Sequence, residues 1–334
     1  MKYNISDYRI ENRPFVNGEY IKPNAHETVH KTSSVTGEML PELFVCNKQD
    51  VDYAVSIARK TFSSGKWNKL SPQIRKETML KLADLMEEHK LELATLDTYE
   101  TGRAFQNYLC DSIPKAIEAV RYFAEAVDKI YDQAITPRED SFCVVVREAL
   151  GVVGIITPWN DPLVVASWKF APALLMGNSV VIKPAEQSSL SLLRLASLAK
   201  EAGIPDGVFN VITGDGETTG KELALHGDVD GIFFTGSSEV GKLLYQYAGL
   251  SNMKKVALEC GGKGPYIVTE HFPDIKLVAE TLAQNMFYNQ GQICSAPSKV
   301  IIHDSIKDEF IECLQKAADS YIPGNPYDIN NKVG

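Results

Sequence analysis

The feature that most constrains the fold is a rhythm that begins near residue 151. Short apolar runs, VVGII (152–156), SVVIK (179–183), VFNVI (208–212) and GIFF (231–234), alternate with stretches of helical character at 161–176, 188–202, 216–226 and 237–248. Runs this short, apolar on consecutive rather than alternate residues, suit strands covered on both faces. Helices between them make right-handed parallel crossovers. The predicted class is α/β, with a parallel sheet whose strand C-termini share one edge, where sheets of this kind bind ligands.

Upstream of that rhythm, FVNGEYI (15–21) reads as a hairpin turning at Asn17-Gly18. The run 71–102 predicts one amphipathic helix, with Ser71 as N-cap, Pro72 at the first helical position and Gly102 as the stop. A second helix is predicted over 113–130, and the β-branched stretch 142–150 suits an arm strand. The apolar LGVVGIITPW is short and broken by glycine and proline, so it reads as a buried strand. The 334 residues suggest about two domains, and a net charge of −9 without a basic run argues against nucleic acid as a partner. No stretch reaches the apolar length of a bilayer span, so no membrane association is expected. The start, MKYNISDYRIENRPF, has no apolar signal core. Six cysteines without a C-x-x-C pair are expected to be reduced thiols of a cytoplasmic protein. His26 and His30 are four apart in non-helical surroundings, and no metal site is expected.

Several segments hold residues that fit catalysis or cofactor binding. TGDGETTG (213–220) and FTGSSEVG (234–241) each follow a strand and open a helix. Glycine lets backbone approach a phosphate and a helix N-terminus offers free N–H groups, although glycine is also common in ordinary strand-to-helix turns. The first segment reads G-x-G-x-x-x-G, one residue longer than the usual dinucleotide fingerprint. VVIKPAEQS (180–188) ends a strand on Lys183 with Glu186 in the following loop. That pair fits a nucleotide ribose, or a solvated loop before a helix. ITPWNDP places Trp159 and Asn160 after a strand, as pocket wall and oxyanion donor or as a proline-flanked turn. LECGGKGP carries Glu259, a general base or a surface residue before a turn, beside the thiol of Cys260. NQGQICSA carries Cys294 in a small, polar setting. A single cysteine by itself does not separate a nucleophile from a small buried side chain.

Taken in order, PWN (158–160), IKPAEQ (182–187), FTGS (234–237), LECGGK (258–263) and NQGQICSA (289–296) resemble the NAD(P)-dependent aldehyde dehydrogenase superfamily, across essentially the whole chain. The resemblance implies an aldehyde dehydrogenase-like fold: a parallel-sheet NAD-binding domain at 1–130 and 148–258, an oligomerisation arm at 131–147, and an incomplete α/β catalytic domain at 259–334. It implies that Cys294 attacks an aldehyde as thiolate, giving a thiohemiacetal whose oxyanion is held by the Asn160 amide and the Cys294 N–H. Hydride transfer then leaves a thioester, and Glu259 activates the water that hydrolyses it to the acid. Lys169 matches a lysine proposed to relay protons. Cofactor contacts are implied at Ile156, Pro158, Trp159, Lys183, Glu186, Gly216, Gly220, Phe234, Thr235, Gly236, Ser237 and Val240. Glu186 at the ribose favours NAD over NADP, since a 2′-phosphate would meet a negative charge.

Residues 111–133 and 251–263 are similar to the γ-glutamyl-γ-aminobutyraldehyde dehydrogenases and related aminoaldehyde enzymes. The chain departs from the family pattern in places. Asp161 stands where an aromatic is common, near the expected substrate entrance, and Cys260 replaces a leucine. Pro297 and Lys299 stand in place of a glycine-serine-arginine pattern. Family members also continue through an E-E-x-F-G-P motif that is absent before Gly334. The isolated chain is therefore expected to be poorly active, and the full-length protein to be a homodimer or tetramer. Two other readings stay open at this stage: a fragment that only binds nucleotide, and a plain hydride-transfer enzyme without covalent catalysis.

Overall fold

The computed structural model describes residues 5–334. Met1–Asn4, the start of the expected first domain, lie outside the described residues. Seven strands form one sheet in the spatial order Lys255–Cys260, Gly231–Gly236, Val152–Ile156, Ser179–Lys183, Phe209–Val211, Phe15–Val16 and Glu19–Tyr20. The first five run parallel, and the last two form an antiparallel hairpin that closes one edge. Asn17 and Gly18 adopt φ 55° and 79°, the two left-handed positions that a tight two-residue turn requires.

Strand Val152–Ile156 shows how burial divides. Val153 and Ile155 join one core with Phe170, Leu174 and Leu192, while Val152 and Ile156 join the other with Val51, Val55 and Leu244. Opposite destinations for alternate residues follow from the pleat. Helices Pro72–Glu88, Ile113–Ala126, Pro162–Leu175 and Leu190–Ala202 cover the first face; Lys48–Ser64, Lys221–Leu225 and Ser238–Leu250 cover the second. The strand after Val152–Ile156 in sequence lies on one side of it, and Gly231–Gly236 lies on the other. The chain therefore reverses its direction of growth there, which opens a crevice at the strand C-termini.

The expected helix over 71–102 is corrected to two. Ser71 caps it, accepting from the Ile74 N–H, Pro72 is its first residue, and Gly102 ends it at φ 74°, but it breaks at His89 into Pro72–Glu88 and Lys90–Thr101. The reason is tertiary. Arg194, on helix Leu190–Ala202, donates from Nε to Glu92 at 2.9 Å and places Nη2 3.2 Å from His89 Nδ1. The second segment is laid along that helix.

Residues 265–318 build a smaller unit. Parallel strands Pro265–Val268 and Lys299–Ile302 pack with helices Ile275–Phe287 and Lys307–Ala318 around Val268, Leu282 and Phe310. The arm is an antiparallel hairpin, Gln133–Arg138 with Ser141–Val145, whose Phe142, Val144 and Val145 are exposed. No helix among the described residues is long and apolar enough to cross a membrane.

Candidate active site

Sheet register sets out the first row of the site. Ile156 pairs with Lys183 on one side and with Phe234 on the other, and one step further along Thr235 pairs with Glu259 and Gly236 with Cys260. Neighbouring strands lie about 4.8 Å apart, so residues far apart in sequence meet on one edge. Lys169, on helix Pro162–Leu175, reaches the same row and donates to Thr235 Oγ1 at 2.6 Å. Burial pushes its amine below the usual lysine range, and the charge of Glu259 opposes that shift. Lys169, Thr235 and Glu259 thus form one neighbourhood.

The segment expected to carry the nucleophile follows helix Ile275–Phe287. Asn289, Gln290 and Gly291 take φ 49°, 54° and 73°, three consecutive left-handed residues. Asn289 is buried, and its Nδ2 donates to the Asn160 carbonyl at 3.0 Å and to the Gln292 carbonyl at 3.3 Å. The Asn160 side chain answers from the opposite segment: its Nδ2 donates to the Gln292 carbonyl at 2.7 Å. One amide N–H is used in that bond and the second is left over. Two residues beyond Gln292, Cys294 is exposed. The LECGGK turn closes in from the other strand. A Cβ on Gly262 would stand 3.2 Å from the Cys294 carbonyl oxygen, so the glycine allows the two backbones to approach. Three segments named from sequence, PWN, LECGGK and NQGQICSA, therefore meet along the backbone of residues 289–294.

The cofactor candidates divide into two groups. Lys183 is 2% exposed; its Nζ donates to the Gly214 carbonyl at 2.7 Å and lies 3.4 Å from Glu186 Oε2. Burial depresses its pKa and Glu186 counteracts this. A Cβ on Gly220 would make ordinary contact with the Lys183 stem, and nothing stands where one on Gly216 would project, which leaves room for a ligand. Asp215, however, accepts from the Thr218 N–H at 2.6 Å, so a carboxylate already occupies the start of that short helix. Helix Ser238–Leu250 is capped instead by the neutral Ser237 hydroxyl, which accepts from Val240 N–H at 3.2 Å. A neutral cap leaves the positive end of the dipole available to a phosphate. Ile156, Pro158 and Trp159 lead from the central strand into the same crevice, with Trp159 exposed.

Asp161 is corrected. The sequence suggests a polar residue at a substrate entrance, whereas the side chain is buried and accepts from Arg103 Nη1 at 3.1 Å and Ser112 Oγ at 3.0 Å. Arg103, 1% exposed, supplies the counter-charge that makes burial tolerable. Sequence reasoning also passed over Asn289. An asparagine two residues before a glycine was its one signal of left-handed backbone.

A cavity of about 1060 Å³ adjoins residues 288–295, lined among others by Asp111, Lys115, Tyr288, Ile293 and Ser295. Among the described residues no group of three or more side chains could hold a metal ion.

Comparison with known proteins gives a consistent result. The family model described as "Aldehyde dehydrogenase family" matches residues 20–334. The NADP/NAD-dependent aldehyde dehydrogenase PuuC of Escherichia coli K12 is 46% identical over 325 residues, which are 97% of this chain and 66% of PuuC. The chain thus spans slightly under two thirds of the length of this curated relative. The indole-3-acetaldehyde dehydrogenase AldA of P. syringae, solved with NAD+, superposes with a TM-score of 0.97 at 44% identity, over 99% of this chain and 67% of that one. The γ-glutamyl-γ-aminobutyraldehyde dehydrogenase of Burkholderia cenocepacia gives a TM-score of 0.96 at 44% identity, with the same coverage of 99% and 67%.

Proposed function

Because the chain belongs to the aldehyde dehydrogenase family, we propose that it serves the NAD(P)-dependent oxidation of an aldehyde to its carboxylic acid, with Cys294 as nucleophile. The observation that carries this reading is the Asn160 amide seated on the Gln292 carbonyl, two residues before the thiol. Cys294 attacks the aldehyde carbon, and the oxygen that becomes negative is met by the free N–H of Asn160 and the backbone N–H of Cys294. NAD bound along the strand edge supplies the hydride acceptor. Lys183 and Glu186 hold its ribose, the helix at Ser237 receives a phosphate, and Phe234, Thr235, Gly236 and Val240 flank it. Glu259 then takes a proton from the water that releases the acyl group from Cys294, and the Lys169 ammonium beside Thr235 steadies that carboxylate.

The same reading extends to organisation and substrate. Residues 1–130 and 148–258 bind cofactor, 259–334 belong to the catalytic domain, and the exposed apolar hairpin within 131–147 joins copies of the chain into a dimer or tetramer. The protein works in the cytoplasm. The cavity lined by Ile293 and Ser295, the chain neighbours of Cys294, carries charges of both signs, Asp111, Glu280, Lys115 and Lys316, which suits an aldehyde bearing an amino or amino-acid group. Steady-state efficiencies on a panel of aldehydes test that preference; faster turnover of plain aliphatic or aromatic aldehydes contradicts it.

The core proposal is tested by NADH formation together with mass spectrometry of Cys294. Aldehyde and NAD should acylate Cys294, and Cys294→Ala should lose NADH formation. Undiminished NADH formation in that variant would mean hydride transfer without covalent catalysis. Slow NADH formation by the wild-type chain is compatible with the reading, but a wild-type chain whose Cys294 forms no adduct with aldehyde and NAD would sink it altogether.

A further inference from the structure

Behind the meeting point of Asn160 and Gln292 lies a charged group that the chemistry above does not use. The Arg103 guanidinium is buried between two aromatic rings, with its carbon 4.8 Å from the Tyr108 ring centre and 4.6 Å from that of Tyr288. Its Nη1 donates to Asp161 and to Ser112 Oγ, at 3.1 and 2.9 Å. The two anchors are placed symmetrically with respect to the site. Asp161 directly follows Asn160, and Tyr288 directly precedes Asn289, which donates to the Asn160 and Gln292 carbonyls. The Tyr288 hydroxyl is itself held by the Asp111 carboxylate. Arg103 therefore touches the chain neighbour of each partner in the contact that sets the oxyanion donor against the nucleophile segment.

We infer that Arg103 is a positioning residue: by ion pair to Asp161 and cation–π contact to Tyr288 it clamps the PWN turn to the nucleophile segment and fixes where the Asn160 amide points. The inference rests on the proposed role of Asn160 and deepens it. It also accounts for the departure at Asp161, since a buried guanidinium needs a carboxylate at that position and an aromatic side chain would leave it unpaired.

Two measurements separate this clamp from mere stabilisation. The first needs no turnover. Hydrogen exchange of the full chain, followed by mass spectrometry, should show faster exchange at residues 288–294 in Tyr288→Leu and in Asp161→Asn. Peptides of the central strands should be unchanged, and Tyr288→Phe, which keeps the ring over Arg103, should behave as wild type. Tyr288 is only half-buried, so its leucine variant tests the clamp even if Asp161→Asn fails to fold. Unchanged exchange at 288–294 in a folded Tyr288→Leu overturns the proposal. The second is kinetic. Tyr288→Leu should lower kcat about a hundredfold, the usual effect of misplacing a catalytic group by an ångström, with NAD affinity unchanged. In an Asn160→Ala background it should add little, because the group it positions is gone. A full additional loss in that background overturns the inference while leaving the reading of Asn160 intact. If wild type forms no Cys294 adduct with aldehyde and NAD, the functional reading fails and the exchange result alone decides whether the clamp exists.

Discussion

Lys183→Met separates cofactor binding from stability more cleanly than any other substitution in the site. The lysine is 2% exposed and its ammonium has one carbonyl, Gly214 at 2.7 Å, and one carboxylate, Glu186 at 3.4 Å. Methionine has nearly the same length and no charge. Replacing a whole buried ion pair by apolar groups is commonly neutral or stabilising by about 1–4 kcal/mol, and the Glu186 carboxylate left behind is 28% exposed and keeps water as a partner. Leaving the Gly214 carbonyl without its donor costs about 1–3 kcal/mol. The two offset, so the unfolding free energy should change by no more than about 3 kcal/mol in either direction. Cofactor affinity has no such compensation: a hydrogen bond from a charged group is worth about 1.5–3 kcal/mol, so the NAD dissociation constant should rise about tenfold to a hundredfold. The pH dependence supplies a third signature. Burial lowers the folded pKa of Lys183, so the unfolded chain holds the extra proton in the window between that lowered value and the ordinary lysine pKa of about 10.4. Stability therefore rises with pH across this window, and the methionine variant should flatten the rise. Calorimetric titration with NAD and denaturant unfolding at several pH values read all three. An NAD affinity within twofold of wild type would refute the assignment of Lys183 to the cofactor.

Other positions make shorter tests. Asn160→Ala should reduce kcat by about 10²–10³, the cost of removing one oxyanion donor, with NAD affinity preserved in a binding titration. Gly214→Ala should destabilise by about 2 kcal/mol or more, read by urea unfolding, because the backbone sits at φ 138° and a Cβ would run into the Thr219 hydroxyl. Asp97 is fully buried, and burial raises its pKa well above the usual carboxyl range. Its effect on stability is lost as pH rises from that range through the raised value, so Asp97→Asn should be more stable than wild type at neutral pH and equal to it in acid; equal stability at both would contradict the shift.

The parts legible in the sequence were those decided by neighbours along the chain. The apolar runs at 152–156 and 179–183 are strands because their residues suit burial on both faces, and the structure buries every one. Asn17-Gly18 makes its turn because the two residues tolerate positive φ. Ser71, Pro72 and Gly102 mark helix ends by local hydrogen bonding and backbone freedom. What stayed hidden depends on partners far away in sequence. The break at His89 follows from Arg194, and the burial of Asp161 follows from Arg103, 58 residues earlier. No local pattern announces either pairing, and a lone aspartate after PWN reads naturally as exposed.

The nucleophile segment needs support from outside itself. A left-handed residue costs about 1–2 kcal/mol when it is not glycine, and Asn289 and Gln290 both take that conformation. Asparagine bears it more readily than glutamine, so Gln290 carries most of the strain. Against this stand the two bonds that Asn289 makes and the one from Asn160, each worth about 1 kcal/mol net. Strain and bonding come out within about 2 kcal/mol of each other, so these bonds alone leave the segment close to balance. A further anchor next to Asn289 then decides whether it holds one conformation or several. Tyr288 is that neighbour, and its ring rests on Arg103. The main-chain carbonyl of Gln292, accepting from two asparagines on segments more than a hundred residues apart, is a fixed point only while that anchor is in place. The position of the thiol therefore depends on a guanidinium in the loop after helix Lys90–Thr101 as well as on the residues that flank it.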